Sequence, residues 1–536
     1  MRPTCMRVGC LSLVVVVLTV GGASGRAGGE LAFYNVRHYG AAGDGQAKDT
    51  AAIGKAIAAA TKAGGGTVYF PPGPYLTGAI RLQSNITLYL DAGAVLRFSQ
   101  DFADYLPMVK SRWEGTECIN FSPPIYAYRA ENIAIIGRGR IDGRGKAWWD
   151  EHRRLKAEMS EKGKIETPSK WARQFAERNQ GSLGQGRWEQ MGNFLRPPLI
   201  QPFECRNVRI EGISIKNPPF WTINPVYCDN VTVTGIWIKN PDDSPNTDGI
   251  NPDSCRNVHI SDCHISVGDD CITIKSGRDE DGRRVGRPCE NITVTNCTML
   301  DGHGGVVIGS EMSGGVRKVT ISNCVFDGTD RGIRIKTTRG RGGAVEDVRV
   351  SNIVMSRIPK GPFYLNMFYK KVPAEPVSPR TPVLRNIHFS NITVKDAPVA
   401  GYVLGLPEMP VENVTFSHIN IDAEKGFSCK DARDISFHDV RINTQRGPAL
   451  ICENVANLEL AGFQTQTPHD DAPVVDLRNV SGAYIHGCRA APETKTFLGL
   501  RGERCRDLFM QGNDLRRAAS AFSVQEGCPA SALVRQ

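Results

Sequence analysis

A short phrase recurs through this chain: Asn, an apolar residue, any residue, then another apolar residue. It reads NITL at Asn85, NIAI at Asn132, NVRI at Asn207, NVTV at Asn230 and NVHI at Asn257. It continues as NITV at Asn291, NIHF at Asn386, NVTF at Asn413 and NLEL at Asn457, with degenerate copies at Lys318, Asp347, Asp434 and Asp507. Neighbouring copies stand mostly 21 to 29 residues apart, with longer gaps where a loop is inserted. Alternation over so few positions describes a short strand with one buried face. Such a strand cannot bury that face alone, but stacked coils can. The repeat predicts an all-β chain, a single right-handed parallel β-helix with coils about 4.8 Å apart. A leucine-rich-repeat horseshoe competes on period, but Val, Ile and Thr fill the repeat instead of Leu.

Cysteines keep step with the repeat. Cys205, Cys228, Cys255, Cys289 and Cys505 stand two residues before the repeat Asn or its substitute, and Cys263, Cys297, Cys324 and Cys488 six residues after it. A fixed repeat position suits a small buried residue in a stack. Coil spacing also falls within disulfide reach, so bridges between neighbours stay open, with no pairing assigned. A metal site is not expected, because the columns are linear and hold no clustered His.

The first residues differ. Arg2 and Arg7 precede the apolar run Val8 to Val20 and a small-residue stretch, GGASGRA, the layout of a secretory signal peptide over residues 1–27. A secreted or periplasmic protein is expected, free of the membrane once the leader is removed. DTAAIGKAIAAATKAGGG, from Asp49, has a polar start, an Ala-rich face and a Gly stop, and predicts one helix capping the first coil. Residues 28–536 then form one domain, interrupted over about 143–196 by a charged, partly helical insertion bearing Trp148, Trp149, Trp171 and Trp188. Those aromatics suit sugar stacking or simple packing. The formal charge of +9 suits a polyanionic partner and plain solubility alike.

Two acidic turns carry the chemistry. NTDG contains Asn246 and Asp248, and GDDC contains Asp269 and Asp270. Asp269 follows Asp248 by 21 residues, about one coil, so the two are expected at equivalent places on adjacent coils with Asp270 beside them. Stacked carboxylates push one another's pKa values apart, which acid/base chemistry requires. DGHGG then places His303 between glycines, and GIRIK puts Arg334 and Lys336 on one side of a strand, suited to binding a carboxylate.

NTDG, GDDC, GHG and RIK, in this order on such a repeat, resemble the four motifs of the polygalacturonases, glycoside hydrolase family 28. The match runs from about Phe33 to the C-terminus, and its first part is similar to the start of other pectin-degrading β-helix proteins of the pectin-lyase-like fold. The resemblance implies an inverting hydrolase of α-1,4-linked galacturonic acid. By position, Asp269 is implied as general acid and Asp248 with Asp270 as the groups that hold and activate water. His303 is implied to support the acid's protonation. Arg334 and Lys336 are implied to bind the galacturonate carboxylate, and Asn246 and Tyr369 to shape the sugar site. His303 and Arg334 favour galacturonan over rhamnogalacturonan. The Trp-rich insertion resembles those of exo-acting bacterial members.

A rhamnogalacturonan or xylogalacturonan hydrolase, a calcium-dependent pectate-lyase-like eliminase and a non-enzymatic pectin-binding β-helix are the competing readings. The expected partner is polygalacturonate or pectin oligosaccharide. No cofactor, metal or nucleic acid is expected, and a monomer is.

Overall fold

The computed structural model describes residues 33–525 and 527–535. The expected signal peptide lies outside the described residues. The chain winds into a right-handed parallel β-helix of short strands. In one column Val208, Val231, Val258, Ile292, Val319, Val348, Ile387 and Val414 are successive register partners. All eight are buried, so one position of the repeat makes a continuous apolar stack.

The repeat Asn has a task that alternation does not reveal. Asn132, Asn207, Asn230, Asn257 and Asn291 take φ between 54° and 60°, a left-handed corner that Asn tolerates better than most residues. Their amides form a ladder: Asn207 donates to Asn132 (2.9 Å), Asn230 to Asn207 (3.0 Å), Asn257 to Asn230 (3.0 Å) and Asn291 to Asn257 (2.9 Å). Asp434 keeps the corner and accepts from Asn457 at 2.9 Å.

The described cysteines are all free thiols, and all but the half-buried Cys528 are buried. Their columns are stacks of small apolar residues; Cys255 Sγ, for example, donates to the Pro225 carbonyl at 3.2 Å.

The N-terminal helix, α1 (Thr50–Lys62), buries Ala52, Ile53, Ala56, Ile57 and Ala60 against the first coils. Its polar start does not cap it through a side chain. Asp49 instead accepts from the N–H groups of Ala42 (2.7 Å) and Gly43 (3.2 Å), tying down the preceding loop. The insertion forms α2 (Lys146–Lys162), α3 (Ala172–Arg178) and α4 (Gln185–Glu189). Trp148 and Trp188 are fully buried and Trp149 nearly so, with Trp148 packed among Phe102, Tyr105, Phe121 and Phe194. These tryptophans hold the insertion to the helix and are not a sugar platform.

Candidate active site

Each coil near the acids has three strands, as in Arg256–Ser261, His264–Ser266 and Asp270–Ile274. The acids sit where the chain enters the third. Register there is set by the bridges Ile250–Ile272 and Asp253–Lys275, an offset of 22 residues. Asp270, and not Asp269, therefore stands over Asp248, which corrects the expected stacking by one position. Asp269 belongs to the turn, where its Oδ1 accepts from the Asp270 N–H at 2.9 Å. That folded-back conformation still brings it in: carboxylate oxygens of Asp248, Asp269 and Asp270 lie within 4.8 Å of one another.

Their environments differ sharply. Asp248 is buried, with Oδ2 accepting from Asn251 Nδ2 (2.9 Å) and Thr273 Oγ1 (3.3 Å). Burial first, then the neighbouring Asp269 charge, push its pKa up to about 8. Asp270 is equally buried, and burial opposes its charge, but the adjacent cations outweigh burial and hold it below the usual carboxylate range. Lys336 Nζ donates to its Oδ2 at 2.7 Å and Arg334 to its Oδ1 at 3.5 Å. The triad is thus split into an ionised member and a protonated one. The three acids have spacing fit for an ion, yet Asp270 already draws its counter-charge from Lys336 and Arg334.

The register places His303 directly over Asp269, because Asp270 pairs with Gly304. His303 Nδ1 lies 3.2 Å from Asp269 Oδ1, and that contact raises the imidazole pKa against the opposing effect of its partial burial. Gly302, with φ +89°, is needed beneath it: an added Cβ would lie 2.6 Å from the Asp269 carbonyl oxygen. On the other side Asn246 donates to Asp269 Oδ2 at 3.4 Å. Tyr369 lies at the cleft with its ring 5.5 Å from Lys336 Nζ and 5.8 Å from the Arg334 guanidinium. All eight residues named from the sequence therefore gather at one place.

Other cleft residues escaped the sequence reading. Lys275, buried, donates to Glu311 at 3.0 Å and lies 4.5 Å from the Trp221 ring. Glu311 is held well below the carboxylate range by Lys275 and Arg341 despite its burial. Arg196 donates to the Asn246 side chain at 2.8 Å, fixing which way that amide points. One signal was available. Ile272–Lys275 reads ITIK, the same alternation as IRIK at Ile333, and Lys336 pairs with Gly309, which directly follows the partner of Ile274. Glu311 and Arg196 lie in irregular segments and carry no such signal. Lys275, Glu311 and Trp221 line, with Asn246, the three acids, Lys336 and Tyr369, a cleft of about 200 Å³.

A family model described as glycosyl hydrolases family 28 matches residues 182–444, and one described as rhamnogalacturonase A/epimerase, pectate lyase-like, matches residues 33–130. A probable polygalacturonase of Vitis vinifera is 32% identical over 74% of this chain and 77% of its own length. An endo-polygalacturonase of Pectobacterium carotovorum subsp. carotovorum is 28% identical over 67% of this chain and 80% of its own. Among solved structures, an exopolygalacturonase from Thermotoga maritima superposes with a TM-score of 0.68 at 35% identity, covering 76% of this chain and 91% of that one. With the repeat, the acid triad and its cationic partners in one cleft, this chain belongs to the polygalacturonases of glycoside hydrolase family 28.

Proposed function

We propose that this enzyme is exported and hydrolyses α-1,4-galacturonosyl linkages of polygalacturonate with inversion at the anomeric carbon. The observation that carries the reading is the split triad: Asp270 is held ionised by Lys336 and Arg334, while burial and the neighbouring Asp269 charge keep a proton on Asp248. Asp269, the more accessible of the two, receives that proton from Asp248 and passes it to the leaving glycosidic oxygen. The C1–O bond breaks with its electrons passing to that oxygen. Water held by Asp248 and Asp270 attacks C1, and its proton passes to Asp270. Arg334, Lys336 and Tyr369 receive the substrate carboxylate and ring at the point of cleavage.

Exo action is supported by the insertion. Beyond Arg278, Arg341 and Lys370 the cleft opens into a chamber of about 460 Å³, one wall of which is Leu183, Gly184 and Arg187 of the insertion. A chamber walled by the insertion beside the cleft suits holding a chain terminus. The leader at residues 1–27 supports export.

The carboxylates are closer than the about 6.5–9.5 Å usual between acid and base in inverting glycosidases, so the anomer is the decisive measurement. Proton NMR during digestion of polygalacturonate should show the β-anomer first. Initial release of the α-anomer would sink inversion, and an ultraviolet-absorbing unsaturated product would instead mark an eliminase. Chromatography of early products should show a single short product, whereas a ladder of oligomers would refute exo action. Asp269→Asn should lower kcat by about 10²–10⁴-fold.

A further inference from the structure

We propose that the outer face of the sheet formed by the second strands carries a separate notch for one uronate unit of a polysaccharide, an assignment that rests on the galacturonan reading above. Of the seven tryptophans, Trp237 alone is exposed, at 52%. It begins the strand Trp237–Lys239, whose outward row runs, by register, through Arg140, Ser214, Trp237, His264 and Thr298. The same row continues to Val325 and Val354, exposed at 44% and 55%. An exposed indole set among polar side chains on this face calls for an explanation.

The rings define its shape. Trp237 and His264 are stacked, with centroids 4.8 Å apart and planes 27° apart, so His264 covers one indole face. The other face looks along the helix axis toward Ser214, whose side chain is too small to fill the space. Arg140 stands one coil further. Two coil steps of about 4.8 Å separate Arg140 from Trp237, and ring contacts of about 3.5–4.0 Å on each side leave room for one flat sugar ring. Its C–H face would meet the indole.

Charge selects the kind of sugar. Arg140 is exposed and has no carboxylate partner among the described residues. Lys216 and Lys239 flank the notch. The nearby acids are engaged, Asp142 with Lys216 at 3.3 Å and Asp301 with Lys239 at 3.7 Å. The free guanidinium therefore favours a carboxylate-bearing unit. The coils that hold the notch also run into the catalytic turns: Trp237 precedes Asn246 by nine residues and His264 precedes Asp269 by five. A long chain held here is kept close to the cleft, which raises its effective concentration there.

The test uses Asp269→Asn enzyme, which leaves the polymer intact, run on native gels containing polygalacturonate or neutral arabinan. Adding Trp237→Ala should weaken retardation by polygalacturonate several-fold. Ser214→Phe, which fills the notch but keeps Trp237, should do the same. In the active enzyme neither substitution should change kcat or KM on trigalacturonate, while both should raise KM on the long polymer. Retardation equal to the parent in both variants would overturn the notch, as would an equal loss on arabinan. If the parent active enzyme fails to cleave trigalacturonate, the functional reading fails, and the gels still judge the notch.

Discussion

His303 stands one coil beyond Asp269 in the same column, and its Nδ1 lies 3.2 Å from the Asp269 carboxylate. The ring is half exposed at the cleft rim, so the contact is open to solvent and to pH. Its imidazole pKa is raised above 6.5, chiefly by that contact. The stabilisation it gives is thus full below pH 6.5 and is lost as pH rises through the raised value. Thermal unfolding of wild type and His303→Ala should differ most near and below pH 6.5 and converge at alkaline pH. The same substitution should reduce kcat by about 10²-fold with little change in KM. A KM effect alone would assign His303 to binding.

Asp248 is an instance of function held at the expense of stability. Its pKa rises from 3.8 to about 8 on folding, so the folded chain keeps a proton that the unfolded chain releases. Stability contributed by that proton is present below pH 3.8 and falls as pH rises toward about 8. Asp248→Asn keeps an acceptor for Asn251 and Thr273 and removes the penalty. Urea melts should find this variant increasingly more stable than wild type from pH 4 to 8, by on the order of a few kcal/mol at the upper end, while kcat collapses. Equal stability across that range would show that Asp248 is ionised in the folded protein.

Lys275 and Glu311 form a buried pair at 3.0 Å on the cleft floor. Removing one partner strands the other charge out of water. Lys275→Met or Glu311→Met should each cost about 3–5 kcal/mol, and the double variant Lys275→Met/Glu311→Met should recover much of it. Denaturant melts of the cycle measure the coupling, and additive losses would mean that the pair does not interact.

The cysteine columns give a chemical count. The sequence holds 16 Cys, of which Cys5 and Cys10 fall in the leader proposed for residues 1–27, and the fourteen others are free in the structure. If the proposed leader is removed on export, the denatured mature chain should titrate fourteen thiols without reductant, and its melting temperature should not move when reductant is added. A lower count would reveal bridges between coils.

How much of this was legible before folding is clearest at individual positions. The phrase at Asn207, Asn230 and Asn257 spelled out the coils because a buried column demands the same apolar residues each time. The acids, His303, Arg334 and Lys336 were legible because each sits at the repeat position that faces the cleft. Lys275 carried a visible copy of the IRIK signal, while Glu311 and Arg196 carried none, because irregular segments have no period from which a direction can be read.

The sequence by itself determined the stack: local alternation and a recurring left-handed Asn corner act within one coil and repeat in the next. Only the tertiary structure decided which acid stands over which. Strand register, and not motif spacing, aligns neighbouring coils, so a step of 22 residues put Asp270 over Asp248 and left Asp269 in the turn beneath His303. It also decided the charges of the triad, because burial and the reach of Lys336, 66 residues along the chain from Asp270, exist only once the coils are wound.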